Sequence, residues 1–152
     1  MNLLTLRLSL GTLTSGAETL ARVLILDSEA VSALAEKRTG MAERLAAARQ
    51  ADHRVLIPAV VLAEVATGAP TDAAIWHVLG KIPTVDLPQG VAMRAGALRA
   101  RAERARRKKR DLTVDAIVAA TAMDLAPSVV ITADKSDLEL LVDGSDVKVS
   151  AA

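Results

Sequence analysis

Four acids stand where their neighbours give a carboxylate little ordinary use. Asp27 directly follows the apolar run Val23, Leu24, Ile25, Leu26, and Asp134 follows Val129, Val130 and Ile131 after Thr132 and Ala133. If these runs are strands of an open parallel sheet, both acids fall just beyond strand carboxyl ends, where such sheets gather ligands. Asp also commonly caps the turn after a strand, so position alone does not separate the two uses. Glu64 lies one helical turn after Val60 and Val61, which puts its carboxylate on an apolar face, an unusual place for an acid that is neither paired nor metal-bound. Asp115 heads a stripe of Val118, Ala119 and Ala122, the face by which a helix of small residues would pack on a sheet; Asp124 is half a turn out of phase and faces solvent.

Brought to one rim, these carboxylates would repel. Two unit charges 5 Å apart cost roughly 3 kcal/mol at an effective dielectric of about 20. Protons or divalent cations must offset that cost, and a ligand set of oxygens without His or Cys favours Mg²⁺ or Mn²⁺. Such ions can make hydroxide from water and stabilise both oxygens of a phosphodiester displacement. Asp137 competes with Asp134 for the same role. It follows Ser136 in the first turn of a helix, where the macrodipole favours an acid, so Asp134 is preferred as ligand and Asp137 is kept for the outer shell.

The elements that must position these residues follow from periodicity. Short β-branched runs alternate with alanine-rich segments of helical period, the pattern of an α/β domain with a mainly parallel sheet flanked by helices. Strands are expected at Val23–Leu26, Val55–Ile57, Ile82–Val85, Val129–Ile131 and Val147–Val149. Helices are expected at about 29–37, 41–50, 59–67, 72–79, 88–108, 114–125 and 137–142, with residues 105–112 loop-like. Pro58 suits a first helical turn, Thr113 an N-cap, and Ser136 with Glu139 a capping box. Residues 1–21 read as an N-terminal extension of unknown role and 22–152 as one domain; the alternation of Leu4, Leu6, Leu8 and Leu10 fits a short strand and equally a mis-assigned start.

Composition narrows the class. Of 152 residues 51% are apolar, yet there is no Phe or Tyr and one Trp, so the core must be aliphatic. The absence of Cys excludes disulfides, thiolate metal sites and a cysteine nucleophile, and suits a cytoplasmic protein. No apolar stretch reaches membrane-spanning length. His53 and His77 read as surface or core residues and Trp76 as a packing residue. The net charge of +1 conceals eight basic residues and one acid between Arg99 and Arg110, so this segment carries +7 and the remainder −6. Arg106, Arg107, Lys108, Lys109 and Arg110 are its densest part. A basic block on an acidic domain suits a polyanion, either RNA or an acidic stretch of a protein partner.

Together, "VLILDSEAVSAL" with Asp27, "IPAVVLAEV" with Glu64, "LTVDAIVAATAM" with Asp115 and "VVITADKSDLELL" with Asp134 resemble the PIN-domain nucleases, in particular the VapC-type toxins of toxin–antitoxin pairs. The resemblance runs from about residue 22 to 149. It implies a parallel-sheet PIN fold, metal-dependent RNA cleavage and inhibition by a cognate antitoxin at the acidic site. It also matches Asp27, Glu64, Asp115 and Asp134 to the family's acidic quartet, and Ser28 and Thr132 to hydroxyl positions beside it. The extension and Leu138, in place of a common aromatic, are departures. A homodimer is expected. Alternatives are a PIN nuclease of RNA processing without an antitoxin and a non-catalytic receiver-like regulator. The receiver would want adjacent acids after the first strand, where Ser28 stands; a dehalogenase-type phosphatase would want a second Asp where Glu29 stands.

Overall fold

A computed structural model describes residues 23–106 and 110–152. The N-terminal extension, Arg107, Lys108 and Lys109 lie outside the described residues. Five strands, β1 (Val23–Leu26), β2 (Arg54–Pro58), β3 (Thr84–Val85), β4 (Ser128–Thr132) and β5 (Val147–Ala151), form one sheet in the order β3-β2-β1-β4-β5. Every pairing is parallel. The strands run outward from β1 in one direction to β3 and, through β4, in the other to β5. The switch point of the topology therefore lies between β1 and β4, where their carboxyl ends open a crevice.

Among the described residues seven α-helices accompany them: α1 (Ser28–Ala35), α2 (Met41–Gln50), α3 (Leu62–Val65), α4 (Ala73–Leu79), α5 (Gln89–Ala105), α6 (Thr113–Asp124) and α7 (Lys135–Val142). Packing divides them into two groups, α1 with α2 and α4, and α5 with α6 and α7. Right-handed crossovers in opposite directions from the switch point put such groups on opposite faces of the sheet. Ile25, Leu26, Ile57, Val130 and Ile131 are fully buried between them, as are Val118 and Ala119 of α6 and Leu138 and Leu141 of α7. Alanines at 116, 119, 120 and 122 bring the α6 backbone close to its neighbours. Aliphatic layers replace the missing aromatics, and truncating one such leucine to alanine costs about 2–5 kcal/mol.

Several expected boundaries move, each for a local reason. The segment after β2 is not one helix over 59–67 but a 3₁₀ turn, Ala59–Val61, followed by the single-turn α3. Pro58 ends β2 rather than opening a helix. The chain leaves α3 because Ala66 is extended and the Asp72 carboxylate gathers the Thr67 and Gly68 N–H groups at 2.9 and 2.8 Å. β3 keeps two of four expected residues, and α5 stops at Ala105 with Arg106 extended. Thr113 does not cap α6 but is its first residue, with Leu112 in the N-cap position and the Asp111 Oδ1 accepting from the Thr113 N–H at 2.9 Å. The Ser136–Glu139 capping box does not form, because α7 begins at Lys135 with Asp134 in the N-cap position. Gly144, at φ +77°, takes the left-handed turn between α7 and β5 that a side chain would strain. Trp76 is 72% exposed rather than packed.

Candidate active site at the β1–β4 crevice

Asp27 directly follows β1 and Thr132 ends β4, and the register that pairs Leu26 with Ile131 sets them side by side. The Asp27 N–H donates to the Ile131 carbonyl at 3.0 Å, extending the ladder one step past β1. Both residues are buried, Asp27 at 4% and Thr132 at 0% exposure. The Thr132 hydroxyl donates to Asp27 Oδ2 at 2.8 Å and accepts from the Asp134 N–H at 3.0 Å. Asp27 Oδ1 accepts from the Ser28 N–H at 2.8 Å. One hydroxyl thus fixes the Asp27 carboxylate and the turn that carries Asp134.

Asp115 reaches the crevice from the first turn of α6, its side chain 10% exposed. Burial pushes its pKa up to about 6, with Asp27 raising it, Arg110 lowering it, and Asp134 and Asp137 raising it further. Asp27 is also raised, first by burial, against the hydrogen bonds from Thr132 and Ser28, with Glu64 and Asp134 adding repulsion. Asp27 and Asp134 both act on Asp115, and Asp134 and Glu64 on Asp27, which puts the four acids in one electrostatic neighbourhood. Glu64 itself is exposed, contrary to the expected apolar face. The reason is the brevity of α3, a single turn too short to carry the 59–67 periodicity.

The other side of the crevice carries cations. Asp137, expected to serve the helix dipole, is buried and held between two arginines: Arg106 Nη2 is 2.5 Å from its Oδ1 and Arg110 Nη1 is 3.2 Å from its Oδ2. Arg110 Nη2 also lies 2.6 Å from Asp134 Oδ2 and 3.9 Å from Asp115 Oδ2. This pairing holds the Asp134 carboxyl below its usual range and raises Arg110. Arg106 and Arg110, expected to contact RNA or a partner, engage acids of this chain, with the Arg106 side chain 24% and the Arg110 side chain 49% exposed. Elsewhere in the block Arg99 donates to the Thr113 hydroxyl at 3.0 Å and Arg101 to the Leu141 carbonyl at 3.3 Å. The sequence signal for this use was available only as a sum: the +7 segment precedes Asp115 and must be balanced somewhere in an acidic remainder.

Among the described residues no three His, Cys, Asp or Glu side chains are drawn into a ready-made metal cage. The donors nevertheless suit a hard divalent cation. They are carboxylates only, two have raised pKa values, and a guanidinium already takes a cation's place against Asp115 and Asp134.

An all-parallel α/β sheet with an acidic crevice at its switch point defines the class. A model of the PIN domain family matches residues 24–139, and the chain belongs to that family. Among solved structures, a chain of VapBC2 from Rickettsia felis bound to a promoter DNA fragment matches with a TM-score of 0.70 and 14% identity, over 86% of this chain and 98% of that one. A chain of DNA-bound VapBC from Salmonella typhimurium matches with a TM-score of 0.66 and 19% identity, over 84% and 96%. A chain of VapBC-1 from nontypeable Haemophilus influenzae gives 0.63 and 16%, over 85% and 97%. At these identities the likeness is one of fold. No curated protein matches this chain.

Proposed function

We propose that the protein is a metal-dependent endoribonuclease and the VapC-type toxin of a toxin–antitoxin pair, with Asp27, Glu64, Asp115 and Asp134 as its acidic set. The observation that carries this reading is the burial of two acids, Asp27 and Asp115, at the one switch point, where burial and neighbouring carboxylates disfavour their charged forms. A folded domain keeps such a destabilising pair where something cationic is to be bound. Bound Mg²⁺ or Mn²⁺ would supply a more acidic water and neutralise charge on the phosphodiester. The protein's own part is orientation: Thr132 and Ser28 hold both Asp27 oxygens, and Arg106 holds Asp137 below the rim.

The partner is a cognate antitoxin, supported by matches to chains from VapBC structures. A groove of about 230 Å³ among α1, α2 and α4 has Leu45, Val78 and Ile82 at its base and Lys37, Arg49 and Lys81 around it. That chemistry fits an antitoxin segment combining apolar and acidic residues. The toxin itself is proposed to be a cytoplasmic homodimer; no helix among the described residues is long and apolar enough to cross a membrane.

The test is cleavage of single-stranded RNA by the purified protein. Activity should require Mg²⁺ or Mn²⁺, stop with EDTA, and leave a 5′-phosphate and a 3′-hydroxyl. A 2′,3′-cyclic phosphate would identify the ribose hydroxyl as the nucleophile and overturn the reading.

A further inference from the structure

Arg110 is placed unlike any other cation of the described chain. One guanidinium faces three carboxylates carried by separate elements: Asp134 at 2.6 Å from the β4–α7 turn, Asp137 at 3.2 Å on α7, and Asp115 at 3.9 Å on α6. Asp115 and Asp134 belong to the proposed metal-ligand set; Asp137 does not. Asp137 also has Arg106, at 2.5 Å, on its other oxygen. If Arg110 withdrew, Asp137 would keep a counter-ion, while Asp115 would lose its own and Asp134 would keep only the field of Arg106 beyond ion-pairing distance.

Exposure separates the two arginines in the same sense. The Arg106 side chain is 24% exposed, whereas that of Arg110 is 49% exposed, on the solvent side of the acids. Its backbone precedes Asp111, whose carboxylate accepts from the Thr113 N–H and hydroxyl at the start of α6, so the anchor of the side chain is fixed while its head is half exposed. A hard divalent cation seeks the carboxylate oxygens that the guanidinium holds, and two cations sharing them would repel by several kcal/mol at about 4 Å and an effective dielectric near 20.

We propose that Arg110 is a tethered counter-ion that competes with the divalent metal for Asp115 and Asp134, and that metal loading displaces its guanidinium towards solvent. It keeps the metal-free crevice from being fully uncompensated and sets the metal concentration at which the site fills. The inference rests on the proposed metal-binding function and adds to it a resident competitor.

Mn²⁺ binding by calorimetry, on the full chain without RNA, tests it. Arg110→Gln should bind Mn²⁺ about tenfold more tightly than wild type, within the usual range of coupling between two ligands of one site. Arg110→Lys, which retains charge without the fork, should fall between them. Arg94→Gln, which removes one exposed positive charge elsewhere on α5, should stay within about twofold of wild type, separating competition from net charge. If wild type binds Mn²⁺, Asp27→Asn loses it, and Arg110→Gln binds no more tightly than wild type, Arg110 is not a competitor and the metal site stands without it. Weaker binding by Arg110→Gln would likewise overturn the competition. If neither wild type nor Arg110→Gln binds Mn²⁺, the metal reading falls and this inference falls with it.

Discussion

The two sides of the crevice solve the same electrostatic problem in opposite ways. On the β1 side, Asp27 is buried with two neutral donors, Ser28 N–H and Thr132 hydroxyl, and no cation within ion-pairing distance among the described residues. On the β4–α7 side, Asp134 and Asp137 are held by Arg110 and Arg106. Asp115 belongs to the first side by its raised pKa and touches the second only through the distant edge of Arg110. The neutral half orients a carboxylate but leaves its charge unbalanced, which suits an exchangeable cation. The paired half is balanced within the chain, and its outcome is structural for Asp137 and conditional for Asp134.

The largest effect that would break this comparison is catalytic. Asp27→Asn should lower RNA cleavage by about 10³-fold, the scale of losing one preorganised charged contact at a reacting centre. Thr132→Val, which leaves Asp27 in place but removes its orienting donor, should cost about 10–100-fold. Single-turnover cleavage assays distinguish the two. Full activity in Asp27→Asn would remove the neutral half from the chemistry altogether.

Stability sharpens the other half. Asp137→Asn keeps the side chain's shape but leaves Arg106 without its partner in a mostly buried position. Removing one member of a buried pair costs about 3–5 kcal/mol, reduced to about 2 here because Arg106 retains some water. Urea unfolding of the metal-free protein should show that loss. An unchanged midpoint would mean that the pair contributes nothing net and that the two halves do not differ in this respect.

The contrast also explains which parts of the molecule were legible beforehand. β1 and β4 were readable because each is an unbroken β-branched or leucine run, and Asp27, Asp115 and Asp134 because each stands at the end of such a run or stripe. Periodicity puts Glu64 on the apolar face of a longer helix, but that helix stops at Val65, since Asp72, eight residues from Glu64, draws the chain out of helix through Thr67 and Gly68. The pairing of Arg106 and Arg110 with acids of this chain is equally hidden in the sequence. Arg110 meets Asp134 and Asp137 across 24 and 27 residues, and no local period records such a contact. Patterns of period two or 3.6 report burial; pairing across the fold is set only when helices dock.

A smaller effect returns to Asp27. Because burial and neighbouring acids disfavour its charge, Asp27→Asn should make the metal-free protein more stable at pH 8. The same substitution should shrink the Mg²⁺-induced rise in melting temperature, since stabilisation follows RT ln(1 + [L]/Kd). Asp124→Asn, on the exposed end of α6, should do neither. A Mg²⁺ shift as large in Asp27→Asn as in wild type would show that Asp27 is not a ligand.

The smallest effect sets the two halves against each other along the pH axis. Asp115 has a folded pKa of about 6 against an ordinary value of 3.8. A raised carboxyl contributes stability that is complete below the unfolded value and is lost as pH rises through the folded one. The metal-free protein should therefore weaken between about pH 4 and pH 6.5, with Asp27 acting in the same direction. Asp134 is shifted the other way by Arg110. Its contribution is present above 3.8 and lost as pH falls below that value. The windows do not overlap, so stability in EDTA should peak near pH 4, with a slope above the peak of a fraction of the roughly 1.4 kcal/mol per pH unit that one fully shifted group can give. Saturating Mg²⁺ should flatten or invert the upper limb, because the metal binds the ionised carboxylates and releases their protons. Arg110→Gln should raise Asp115 and Asp134 together, shifting the peak upward in pH and steepening the fall above it. Melting curves from pH 3.5 to 7.5, with EDTA and with Mg²⁺, check each point. A metal-free protein whose stability rises steadily from pH 4 to 6.5 would mean that Asp115 is compensated as fully as Asp137, and that the crevice has one kind of side rather than two.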